Sequence, residues 1–332
     1  VGTLFCHWLI EDIFHRSYVN QAALAQIKLG NVHESYRGDG QIVAVLDTGI
    51  DLAHPALQGQ LIAGWDMVDD DPLPDDEGPG AAQGHGTHIS GIVARVAPGS
   101  QILPVRVLDP DGRGDTFFVA YAIEWAINQG ADVINLSLGT QENSRLFHDV
   151  MLWAVEQGVS VVAAAGNSNT SVLHYPAAYP AVVAVTAVGE TKTKAPFANY
   201  GSWIDVAAPG VGITSTIVTA QGSGYATWSG TSMATPFVSG AIALLRQKFP
   251  EKQVRELHQR LQTRSEVIDE QNIPYPGLLG TFLHVEAAMA EDVVSPFKFA
   301  LYIPLIITID PRSVGEDPLY LVQRGGSKAI GQ

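Results

Sequence analysis

The chain is predicted to fold as a three-layer α/β unit, with a central, mainly parallel sheet flanked by helices. Three observations predict it. Short continuous apolar runs rich in Val, Ile and Ala recur, as in strands covered on both faces. Segments of helical spacing separate them, which implies parallel βαβ units. Polar residues able to do chemistry follow directly on those runs, where open α/β sheets place their sites.

Taken in order, residues 21–32 have helical spacing, and Arg37-Gly38-Asp39-Gly40 reads as a turn. Ile42 to Leu46 is the first buried strand and ends in Asp47-Thr48-Gly49. Residues 66–84 read as a polar, acidic loop. Gly84-His85-Gly86-Thr87-His88 then opens a helix to about Val96. Strands follow at 102–108, 133–136, 159–164, 182–188 and 204–206. Helices are expected at 117–129 and 146–157. A long helix follows Gly230-Thr231-Ser232-Met233-Ala234-Thr235-Pro236 and runs to Leu245, and further helices are expected near 252–262 and 284–290. The reading divides the chain into an N-terminal segment (1–37), a main domain (38–294) and a C-terminal extension (295–332).

The 332 residues are 46% hydrophobic, enough for a large core, and the net charge of −15 argues against nucleic acid or an anionic membrane as partner. Cys6 is the single cysteine, so no internal disulfide can form. The apolar run 299–309 is too short to span a bilayer and contains Pro304. The chain begins at Val1, so a signal peptide is expected outside it.

Acyl transfer by a serine needs a base, a carboxylate to orient that base, donors for an oxyanion and a place for substrate. Asp47 ends a strand, and His85 opens a helix inside a glycine-flanked turn. Asn167 follows the strand Val159 to Ala164, and Ser232 starts the long helix, where unpaired N–H groups gather. Each has a plainer reading: Asp-Thr-Gly and Gly-Asn are common turns, and a serine at a helix start is usually a cap. Their joint occurrence in one chain favours the site.

The stretches Val43 to Ile50, Gly84 to His88, Ala164 to Asn167 and Gly230 to Pro236 together resemble the subtilisin-like (subtilase) serine proteases, peptidase family S8. The Asp…His…Ser order is that family's. The resemblance implies a subtilisin-like fold and a serine endopeptidase. Ser232 would be the nucleophile, His85 the general base and Asp47 its orienting carboxylate. Asn167 and the Ser232 N–H would hold the oxyanion, and His88 would be structural. Gly112-Arg113-Gly114 and Ser137-Leu138-Gly139 would flank an extended peptide by backbone pairing. Ala164, Ala165 and Gly166 would line a roomy pocket for a large apolar P1 side chain. The resemblance further implies polypeptide substrates, an inhibitory propeptide, an extracellular location and a monomer. No cofactor is needed for the chemistry. The alternative function is a catalytically degenerate member used in binding or assembly.

Calcium is the one metal expected. Seven carboxylates lie within residues 66–77, and like charges so close together repel unless something neutralises them. Asp66, Asp69 and Asp71 are the expected ligands. A stronger calcium site of many family members is expected to be missing, because Ala56 follows His54-Pro55.

Overall fold

The computed structural model describes residues 14–219 and 221–292. The chain separates into a unit ending at Ala290 and a second unit, 291–332, which lies almost wholly outside the described residues. Cys6 and the apolar run 299–309 also lie outside them.

The main sheet is built from β1 (Ile42–Asp47), β2 (Trp65–Asp66), β3 (Gln101–Arg106), β4 (Val133–Leu136), β5 (Ser160–Ala164), β6 (Val182–Val188), β7 (Val206–Pro209) and β10 (Thr281–Phe282). Its order is β10-β7-β6-β5-β4-β1-β3-β2, and every pairing is parallel. The remaining strands, β8 (Ile213–Thr219) and β9 (Gly222–Trp228), form a separate antiparallel hairpin. The sequence pattern does not announce that hairpin, because Thr, Ser and Gly break its apolar alternation.

β1 shows why the sheet is covered on both sides. Val43 and Val45 enter one hydrophobic core and Ala44 and Leu46 the other, as the two-residue strand period requires. The first core is closed by α3 (His85–Val96) and α6 (Thr231–Lys248). The second is closed by α4 (Thr116–Asn128) and α5 (Arg145–Glu156). Two shorter N-terminal helices, α1 (residues 14–19) and α2 (Ala22–Gln26), precede the sheet, and α7 (Val254–Arg264) and α8 (Val285–Met289) complete the unit. Ile27 and Leu29 are buried in the α3–α6 core, and the Tyr18 hydroxyl donates to Gly91 O at 2.9 Å, so the stretch from Tyr18 onward packs with the main unit.

All strands of the main sheet point one way, so their C-terminal ends share an edge. β1 lies between β3 and β4, and the chain reverses its direction of travel across the sheet there, the place where such sheets hold ligands. Asp47 and the segments after β4 and β5 meet on that edge. No helix among the described residues is long and apolar enough to cross a membrane.

Candidate active site

Asp47 is fully buried at the end of β1. Its Oδ1 accepts from His85 Nδ1 at 2.6 Å and from Thr48 N at 2.8 Å. Because a carboxylate only accepts, Nδ1 carries the proton and Nε2 keeps its lone pair for the cavity. Burial works to lower the His85 pKa. The charge and hydrogen bond of Asp47, with the charge of Asp76 behind them, outweigh it and raise the pKa above 6.5.

Two glycines let α3 begin this close to β1. A Cβ on Gly86 would stand 2.1 Å from Gly49 O. Gly84, the N-cap, has φ +86°, in the left-handed region that glycine enters without strain.

His88 is buried and stacks on Trp228 at 4.8 Å, while His85 stacks on the same indole at 6.2 Å. Burial, then the neighbouring His85 charge, pushes His88 down to about 3, so it is a neutral packing residue. Trp228 comes from β9 and carries no sequence signal of its own.

Ser232 lies in the first turn of α6. Pro236, four residues on, has no N–H to give to Ser232 O. That carbonyl accepts instead from Ser137 Oγ at 2.9 Å. A polar chain from Ser239 Oγ through Asn135 to Ser137 continues this contact and fixes α6 to β4. Ser232 Oγ donates to Ser137 O at 3.2 Å. No hydrogen bond joins Ser232 to His85 in this resting geometry; such bonds commonly tighten only around substrate.

Asn167 Oδ1 accepts from Thr231 N at 2.9 Å and from Thr231 Oγ1 at 3.0 Å. An amide N–H can only donate, so the atom facing Thr231 N is the oxygen and Nδ2 remains the free donor. His85, Asn167 and Ser232 line one cavity of about 500 Å³.

A neighbouring cavity of about 520 Å³ is lined by Gly112-Arg113-Gly114 and Ser137-Leu138-Gly139, and also by His85. The two expected edges for an extended peptide therefore face one groove. Ala164 ends β5 and Ala165 and Gly166 follow it; all three are buried and none lines either of these two cavities. A Cβ on Gly139 would stand 2.5 Å from His174 Nε2, and one on Gly166 would stand 3.1 Å from His174 Cδ2. His174, which the sequence reading did not single out, thus packs between the two segments.

The acidic loop is arranged differently from the expected calcium site. Arg106, buried at the end of β3, donates through Nη1 to Asp66 Oδ2 (2.6 Å), Asp69 Oδ2 (2.6 Å) and Glu77 Oε1 (2.8 Å). Burial disfavours the guanidinium charge, but the bonds to Asp66 and Asp69 outweigh it and raise the Arg106 pKa. Asp66, Asp69 and Glu77 are the carboxylates that converge. Asp71 is elsewhere: its Oδ1 accepts from Leu73 N at 2.8 Å. The neutralising charge comes from a strand tens of residues downstream, which a local reading of the loop could not supply. With a guanidinium nitrogen already amid the three oxygens, this donor set as it stands does not fit a calcium ion.

Asp76 is a second group the sequence reading passed over. It is buried, and burial pushes its pKa up to about 6 against hydrogen bonds from Thr87 and Gly84.

Residues 38–282 match the model of the subtilase family, Peptidase_S8. The chain is 42% identical over 254 residues to the thermophilic serine proteinase of Bacillus sp. strain AK1, an alignment covering 72% of this chain and 60% of that protein. It is 44% identical over 218 residues to thermitase of Thermoactinomyces vulgaris, covering 63% and 75%. Among solved structures, it is similar to a protease from Pseudoalteromonas arctica PAMC 21717 (TM-score 0.73, 30% identity), with 79% of this chain and 93% of that one covered.

Proposed function

The chain belongs to the subtilase family of serine endopeptidases, and on that premise we propose that Asp47, His85 and Ser232 form its catalytic triad. The observation that carries this reading is the meeting of His85, Ser232 and Asn167 on one cavity while Asp47 holds His85 Nδ1 from behind. Ser232 Oγ attacks the scissile carbonyl and His85 Nε2 takes its proton. Asn167 Nδ2 and the Ser232 N–H stabilise the oxyanion. His85 then gives the proton to the leaving amine, and water hydrolyses the acyl-enzyme by the reverse route. Asp47 keeps the imidazole in the useful tautomer and favours the imidazolium that forms.

The substrate in this reading is an extended polypeptide held by backbone pairing along residues 112–114 and 137–139, with broad sequence tolerance. A large apolar P1 side chain would lie against Ala164, Ala165 and Gly166. An extracellular monomer restrained by an inhibitory propeptide completes the proposal. Calcium enters only as a competitor of Arg106, since an ion at Asp66, Asp69 and Glu77 would have to displace the guanidinium.

A fluorophosphonate probe tests the core of this reading. It should label Ser232 in the unaltered protein and fail to label Ser232→Ala. Retained labelling in that variant would place the nucleophile elsewhere, and a folded, unlabelled protein with no hydrolysis of any peptide would return the chain to a binding role.

A further inference from the structure

We propose that Asp76 is a positioning residue of the reaction: a single buried carboxylate that clamps the strand end bearing Asp47 to the helix start bearing His85. The proposal rests on the triad reading above.

Asp76 lies in the loop between β2 and α3. Unlike the next residue, Glu77, it is buried. Its two oxygens accept from four donors. Oδ1 takes Thr48 Oγ1 at 3.1 Å and Gly84 N at 2.9 Å, and Oδ2 takes Thr87 N at 3.1 Å and Thr87 Oγ1 at 2.7 Å. Every donor is a close chain neighbour of a triad residue. Thr48 follows Asp47, Gly84 precedes His85, and Thr87 stands two residues after His85.

The two threonines bridge the same segments again. Thr48 Oγ1 accepts from Gly86 N at 3.0 Å, and Thr87 Oγ1 accepts from Asp51 N at 2.9 Å. The 2.6 Å bond between Asp47 and His85 depends on the separation that this network sets. Asp76 therefore holds the dyad without touching substrate.

Its charge acts in a definite direction. The groups that face His85 are Asp47 from β1, Asp76 from the loop and His88 from its own helix. Both carboxylates favour the imidazolium, and His88 is neutral. Gly84 N, at the N-cap of α3, and Thr87 N, in its first turn, donate to Asp76 and help keep it ionised. Neutralising Asp76 should lower the affinity of His85 for its proton. The pH below which the base is lost should then move down.

The test compares Asp76→Asn with Thr87→Val and Thr48→Val. It measures kcat and KM on a peptide substrate, the pH dependence of kcat/KM and the rate of fluorophosphonate labelling at Ser232. Asp76→Asn should lower kcat by roughly ten- to a hundredfold, as expected when reacting groups are misplaced by a fraction of an ångström to an ångström. KM should change by no more than about twofold. The acid limb should move to lower pH, and labelling should slow in parallel with kcat. Each threonine variant should lower kcat and move the acid limb less than Asp76→Asn does, because the carboxylate stays and loses only one of its donors.

If Asp76→Asn melts at lower temperature but keeps its kcat and acid limb, Asp76 is only a structural brace and the proposal fails. If Asp76→Asn does not fold, the threonine variants decide, and unchanged kcat in both overturns the clamp. An unaltered enzyme that does not label at Ser232 overturns the triad reading itself. Normal labelling at equal rates in the enzyme and in Asp76→Asn overturns the clamp alone.

Discussion

The two halves of the proposed site are built on opposite plans. The acid–base half, Asp47 with His85, is closed before any substrate arrives: a buried carboxylate, a 2.6 Å bond and the Asp76 network behind both. The nucleophile half is open. Ser232 is half-buried and Asn167 exposed, and Ser232 Oγ bonds to a backbone oxygen, Ser137 O, rather than to the base. The difference follows from what each half must do. A carboxylate that stabilises an imidazolium works best away from water, in a fixed place. A hydroxyl and an amide that meet a carbonyl must leave room for it, so their last contacts wait for substrate.

The sharpest way to break the comparison is to remove the nucleophile. Ser232→Ala should lower kcat by a factor on the order of 10⁶, a magnitude taken from subtilisin itself. The fold should persist, because Ser232 is held through its backbone oxygen, which Ala keeps. Circular dichroism and peptide hydrolysis together check this, and near-normal turnover would end the triad assignment.

Asn167→Ala probes the open half more gently. It should lower kcat by roughly 10²–10³ with little change in KM, a range known from an oxyanion-hole asparagine of subtilisin. The free Nδ2 has nothing to hold in the ground state and gains its partner as the oxyanion forms. A change confined to KM would make Asn167 a substrate-binding residue instead. Steady-state kinetics on one peptide separate the two outcomes.

This contrast also explains what the sequence disclosed and what it concealed. Asp47, His85 and Ser232 each end a strand or begin a helix, and Asn167 follows a strand closely, all inside short contiguous motifs, so they could be named from local pattern. The parallel sheet was legible for a similar reason, since runs such as Ile42 to Leu46 are apolar without interruption. Partners brought in from far along the chain were not legible. Arg106 meets Asp66 across 40 residues of chain, and Trp228 reaches His88 from a hairpin whose Gly-, Ser- and Thr-rich strands do not alternate cleanly. His174 stands against Gly139 and Gly166 although its surroundings in sequence read as an ordinary loop. Glu77 rather than Asp71 joins the charge cluster because the loop folds back on itself, with Asp66 and Asp71 pairing through their backbones.

The closed half should set the pH response. His85 must be neutral to act as base, and its pKa is raised above 6.5. Activity should therefore be full at alkaline pH and begin to fall as pH drops through a value above 6.5. Well below that value the loss should approach tenfold per pH unit, as for one essential base. His88, pushed down to about 3, cannot supply this limb. A kcat/KM profile flat down to pH ~4 would exclude a histidine base.

The smallest expected effect on turnover belongs to the acidic loop, which carries Asp76 and so is part of the closed half; its effect is on stability. Arg106 now neutralises Asp66, Asp69 and Glu77, so its removal should leave buried Asp66 unpaired. Breaking a buried ion pair in this one-sided way costs about 3–5 kcal/mol, and Arg106→Gln should melt well below the unaltered protein. The exposed partners Asp69 and Glu77 contribute little to that cost, because water already solvates them. In the variant the three oxygens lose their resident charge and become available to a hard cation. Calcium bound only to the folded state stabilises by RT ln(1 + [L]/Kd), roughly 2.7 kcal/mol at a hundredfold excess over Kd. Millimolar calcium should therefore recover part of the lost melting temperature in Arg106→Gln, and NaCl of equal ionic strength should not. In the unaltered protein the same ion must first displace a guanidinium, so its specific shift should be smaller, about a few degrees at most. A larger calcium-specific rise in the unaltered protein than in the variant would show that the ion and Arg106 cooperate rather than compete. Identical melting curves in calcium and in EDTA for both proteins would leave Arg106 as the only counter-ion the loop requires.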